Sequence, residues 1–73
     1  MRVKGIGSNQ TEITKSNGDS ILVSYSTPVA ANVGGKFYRT EKKWSKTTSK
    51  HINAWLYGAK AEEKPQSFFD NLL

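Results

Sequence analysis

A chain of 73 residues with 36% hydrophobic side chains, no cysteine and a net charge of +5 has room for one small domain and no disulfide to brace it. Thiolate metal sites are excluded with the disulfides, and His51 is the only histidine, so neither a metal nor a cofactor is expected. The opening MRVKGIGSNQ lacks the long apolar run of a signal peptide and no stretch is long enough to span a bilayer, which points to a soluble cytoplasmic protein without membrane contact.

Residues 1–10 contain two glycines and little periodicity, and read as a flexible N-terminal arm. In TEITKSNGDSILVSYS two β-prone runs flank Asn17-Gly18, a favoured pair for a tight hairpin turn because both positions tolerate positive φ. Alternation predicts Ile21, Val23 and Tyr25 on one face of the second run, with Leu22, Ser24 and Ser26 on the other, and Ile13 toward the core. Pro28 marks a bend, an edge or the first residue of a strand, since it has no N–H for a ladder. VAANV then reads as a third strand, Gly34-Gly35 as a turn and KFYRT as a fourth strand, with Phe37 and Tyr38 facing opposite ways, one toward core and one exposed.

From Thr48 the pattern changes period. Ile52, Trp55, Leu56 and Ala59 follow the spacing of one helix face, which predicts a helix over 48–57 capped by Thr47 or Thr48 and stopped by Gly58. Such a helix is too short to hold alone and must bury that face against the sheet. Residues 59–73 read as a polar linker, interrupted by Pro65, and an apolar tail, SFFDNLL, in which Ser67 and Asp70 have capping-box spacing. Phe68, Phe69, Leu72 and Leu73 could insert as a short helix into a partner groove or fold back on the domain, the second being favoured because native chains cover such patches. The expected fold is α+β over residues 11–58: a three- to four-stranded antiparallel meander followed by one α-helix, with flexible termini.

No reaction centre emerges. The serines cannot be assembled into a nucleophile–base–orienter set, Glu62-Glu63 lies in the linker, and Gly5-Ile6-Gly7 is far short of a phosphate-binding loop. The protein is therefore expected to bind rather than to catalyse.

The charge is concentrated. Lys36, Arg39, Lys42, Lys43, Lys46 and Lys50, against Glu41 alone, place the whole of the net charge in residues 36–50. Lysines beside a helix start oppose its partly positive end, by about 0.3–1 kcal/mol each. A local rule broken several times in a small domain points to function. Lys42, Lys43, Lys46 and Lys50 are thus candidate contacts for an anionic partner, protein or nucleic acid. Trp44 among them has two readings, a stacking or anchoring side chain or, the favoured one, a core residue under the sheet. Arg2, Val3, Lys4 and Ile6 of the arm are further candidate partner contacts, able to order on a partner's surface or add a strand to its sheet.

Two segments, SYSTPVA at 24–30 and KWSKTTSKHINAWL at 43–56, resemble a pattern of very small bacteriophage-encoded proteins, in which a Tyr-x-Thr-Pro-like strand end precedes a Ser-x-Thr-Thr-Ser-x-His helix start. Ser45, Thr47, Thr48, Ser49 and His51 match it, and a helix-capping role accounts for them structurally. By length, charge and sequence the whole chain also resembles the small transcription regulators of phages such as those infecting Xanthomonas. The resemblance implies a monomer in the host cytoplasm that binds bacterial RNA polymerase at the N-terminal region of the β′ subunit. It further implies inhibition of σ-dependent initiation, suppression of termination and a possible contact with nascent RNA or DNA. It transfers no contact residue.

Overall fold

The computed structural model describes residues 2–7 and 9–72. Six strands, β1 (Arg2–Gly7), β2 (Gln10–Thr14), β3 (Ser20–Ser24), β4 (Thr27–Val33), β5 (Lys36–Thr40) and β6 (Glu62–Lys64), lie in one sheet in chain order. The first five are antiparallel neighbours. Between β5 and β6 runs α1 (Lys46–Leu56), so that β6 returns parallel to β5, and α2 (Gln66–Asp70) follows. The α+β class stands, with six strands rather than three or four and with a second, short helix.

Both faces of the sheet are covered, because neighbouring residues of β3 point to opposite sides. Leu22 packs with Val29, Ala30, Ile52 and Leu56 under α1, flanked by Phe37, Trp55 and Ala61. Ile21 and Val23 pack with Ala31 and Phe69 under α2, flanked by Ile13, Val33, Tyr38, Phe68 and Leu72. Val29 and Ala30 share the α1 side because the pairing of β3 with β4 shifts register there: Ala30 lies opposite Leu22 and Pro28 opposite Val23, leaving Val29 as the extra residue of a bulge. Pro28 is accordingly inside β4, where the irregular ladder tolerates a residue without an N–H.

Several expectations are corrected. Residues 1–10 are not a loose arm throughout: β1 pairs with β2 from Arg2 opposite Thr14 to Gly7 opposite Gln10, with a register shift between Gly5 and Gly7. All six of its residues are exposed, so the ladder to β2, not burial, accounts for the strand, and hydropathy carried no sign of it. Residues 59–72 are no linker and tail. The chain leaving α1 reaches the open side of β5, where three polar residues suffice for a strand, and α2 then seats Phe69, fully buried, on the other face. Pro65, not Ser67, stands at the start of α2, with no side-chain cap. Leu73 lies outside the described residues.

The turns follow from their glycines, with one surprise. Gly34 and Gly35 have φ of 61° and 86° and close a two-residue hairpin, the geometry for which paired positive φ is needed. Of Asn17-Gly18 only Gly18 has positive φ, in a five-residue loop closed by Lys15 N–H to Asp19 C=O at 2.8 Å. The surprise is Tyr25. The hairpin between β3 and β4 is the pair Tyr25-Ser26, so Tyr25 leaves the strand, takes φ of 59° and stands exposed instead of joining Ile21 and Val23. Phe37 and Tyr38 do point to opposite faces, yet both are half-buried, because each face has its own helix to pack against.

Candidate partner-binding groove

α1 begins two residues earlier than the apolar spacing predicts. Ser45 is its N-cap, not Thr47 or Thr48: the Ser45 hydroxyl accepts from the Thr48 N–H at 3.1 Å, which satisfies one of the helix's free donors. The helix ends at Tyr57, which takes a left-handed conformation and donates its N–H to the Asn53 carbonyl, with Gly58 also at positive φ beyond it. Ile52 and Leu56 are buried as their spacing requires, and Trp55 is half-buried, edge-on to Phe37 with its Nε1–H donated to Glu12 Oε1 at 2.8 Å.

The buried stripe of α1 also contains Thr48 and His51, which polarity alone assigns to the surface. Both meet Ser24 on β3. The Ser24 hydroxyl lies 2.8 Å from His51 Nδ1 and 3.2 Å from the Thr48 hydroxyl, which itself accepts from Ser45. Ser24 and His51 are 2% and 8% exposed, and with Thr48 they form a polar pin that fixes the helix start on the sheet. Ser24 lies in the segment 24–30, and Ser45, Thr48 and His51 lie in the segment 43–56. Their shared pattern thus has a structural explanation in the joint between β3 and α1.

Ahead of that pinned helix start, residues 39–46, the helix residues Thr48, Ser49, Lys50, Ile52 and Asn53, and Glu63 surround an open groove of about 540 Å³. Lys42, Lys43, Lys46 and Lys50, the four lysines singled out from the sequence, all line it, joined by Arg39 from β5. Glu41 and Glu63 are the acids on its wall. Among the described residues none of the five cations makes an ion pair; the pair that does form is Lys64–Glu62, at 3.3 Å. Arg39 is instead oriented by Asn53, to whose Oδ1 it donates at 3.3 Å. The first turn of α1 has no acidic residue, so the helix end adds its positive potential to that of the lysines.

Trp44 belongs to this groove and not to the core. It is 40% exposed, with the Lys42 ammonium 4.2 Å from its ring centre. Its indole N–H donates to Gln66 Oε1 at 3.2 Å. Gln66, at the start of α2, also accepts from the Thr40 hydroxyl and donates to the Pro28 carbonyl and to Asp70. Both ends of its amide are therefore used, and the segment between β5 and α1 is tied to α2 through one side chain. Arg39 is legible in the charge run, whereas nothing in the sequence singles out Gln66, a lone amide in a polar stretch.

Arg2, Val3, Lys4 and Ile6 are elsewhere. They lie on β1, the far edge of the sheet from β5 and β6, four strand spacings or about 19 Å from β5. The two sets of candidate contacts are not one surface. Among the described residues no cluster of His, Asp or Glu is suited to a metal ion, and no helix is long and apolar enough to cross a membrane.

The class of protein defined by these features is a small α+β domain with a preformed basic groove at the start of its main helix. The chain belongs to a family of unknown function, DUF8033, which it matches over residues 1–71. No curated protein and no solved structure matches it.

Proposed function

We propose that the protein is a non-enzymatic bacteriophage regulator that binds the host's RNA polymerase through the basic groove. It acts as a monomer in the host cytoplasm, blocks σ-dependent initiation and suppresses termination. The β′ subunit's N-terminal region is the docking point on the polymerase. The observation that carries the binding part is the convergence of Arg39, Lys42, Lys43, Lys46 and Lys50 on one groove without an ion pair among the described residues. Uncompensated charge of one sign in a concave surface draws an anionic partner and speeds its encounter. The polymerase as that partner rests on the resemblance of the whole chain, in length, charge and sequence, to the small phage transcription regulators.

Tagged protein incubated with host lysate is expected to retain RNA polymerase at low salt and to release it as salt rises. No retention at low salt removes this reading. Direct nucleic-acid binding is the second reading, favoured by Trp44, which stands half-exposed among the lysines as a base-stacking side chain would. It requires a mobility shift of RNA or DNA by the protein alone, with affinity falling steeply in salt as counterions are released.

A further inference from the structure

We propose that the outer edge of β1 receives an extended acidic–apolar–acidic segment of the protein partner as a seventh strand, which rests on reading the chain as a partner-binding protein. β1 has a strand on one side only, and every one of its residues is exposed. Its backbone groups on the other side are free to pair with an incoming strand.

The register fixes what such a strand must look like. Val3 continues an apolar row on the α2 face: it is opposite Ile13, which is opposite Ile21, then Ala31, then Tyr38. Phe69 covers the middle of that face and leaves Val3, 65% exposed, as its uncovered end. Lys4 and Arg2 point to the other face. Lys4 is opposite Glu12, yet Glu12 is bonded to Trp55, and among the described residues Lys4 has no ion pair. Read across the edge, the chain therefore presents basic, apolar, basic at Arg2, Val3 and Lys4. An apolar residue opposite Val3 extends the row, and acidic residues opposite Arg2 and Lys4 meet their charge.

At its other edge the sheet is extended by a short strand of its own chain, parallel to β5. β6 is short and acidic, and it sets Glu63 opposite Arg39 and Glu62 opposite Tyr38. The bulge near Ile6 limits the accepting stretch at its far end, so that Arg2 to Gly5 is the regular part of the edge.

The test uses the nitrogen-labelled full chain and a capped synthetic peptide alternating glutamate and valine, beside a peptide with lysine in place of glutamate. Amide shifts and slowed exchange confined to residues 2–7 and their β2 neighbours are expected with the glutamate peptide. The lysine peptide, or the Lys4→Glu variant with the glutamate peptide, is expected to bind about tenfold more weakly or less, since like charges then face each other. Lys4 is on an exposed strand, and an unchanged melt shows that the variant is folded. Absence of shifts at β1, shifts centred on residues 42–50, equal binding of the two peptides, or pairing of residues 2–7 with residues 62–64 of a second copy each overturns the proposal. Polymerase retained by the wild-type chain without peptide binding at β1 removes the strand addition alone. Peptide bound at β1 without polymerase retained removes the polymerase reading alone.

Discussion

The groove at the start of α1 and the outer edge of β1 both present lysines, but they are built in different ways. The groove stands on buried structure. Its helix is pinned by Ser24, Thr48 and His51, and its Trp44 wall is held by Gln66, which in turn is fixed to β4 and α2. β1 stands on a ladder to one neighbour and has no buried residue. The groove therefore has its shape before a partner arrives, whereas the edge offers an open template that a partner completes. Preorganisation of this kind lowers the ordering cost of binding, and an open edge trades that gain for a wider choice of segments.

The difference makes unequal demands on stability. Phe69→Ala removes the fully buried anchor of α2, and a loss of about 3–5 kcal/mol is expected, enough to unfold much of so small a domain. The groove wall, tied to α2 through Gln66, is lost with it. A denaturant melt that retains a near-wild-type midpoint would break the account of a sheet covered on both faces. Ser24→Ala leaves the buried His51 and Thr48 without their shared partner and is expected to cost about 1–3 kcal/mol. A cost near zero would show that the joint between β3 and α1 is held by apolar packing alone.

Smaller effects sharpen the same contrast. Ser45→Ala removes the N-cap of α1 and is expected to cost about 1 kcal/mol, read as a proportionate fall in the melting midpoint. Val3→Ala is expected to change stability by less than about 0.5 kcal/mol, because the side chain is mostly exposed. A larger loss would mean that the edge is braced and not open.

How far the sequence disclosed these regions depends on the kind of signal each carries. The meander from Thr11 to Thr40 and the stripe Ile52, Trp55 and Leu56 are legible because apolar spacing records burial directly. The lysine cluster is legible because charge is additive along a chain, whatever its fold. Thr48 and His51 are not, since polar side chains read as exposed until Ser24, twenty-seven residues before His51, is known to lie beneath them. The one hint is that they extend the helix stripe backward, Thr48 four residues before Ile52 and His51 four before Trp55. β6 is three polar residues recruited by an open strand, and α2 is a turn and a half, too short to show a period. Both exist because of what they meet, not because of their own propensity.

The most direct test of the central claim is the variant with Lys42, Lys43 and Lys46 all replaced by Glu, followed by a thermal melt and by RNA polymerase binding at low salt. These side chains are exposed, and two of them crowd the positive end of α1 or its approach, so the fold is expected to survive with a midpoint unchanged or slightly raised. Polymerase binding is expected to fall by about tenfold or more, equivalent to at least ~1.4 kcal/mol. A folded variant that binds as tightly as the wild type would contradict the account and leave the groove with a solubilising role only.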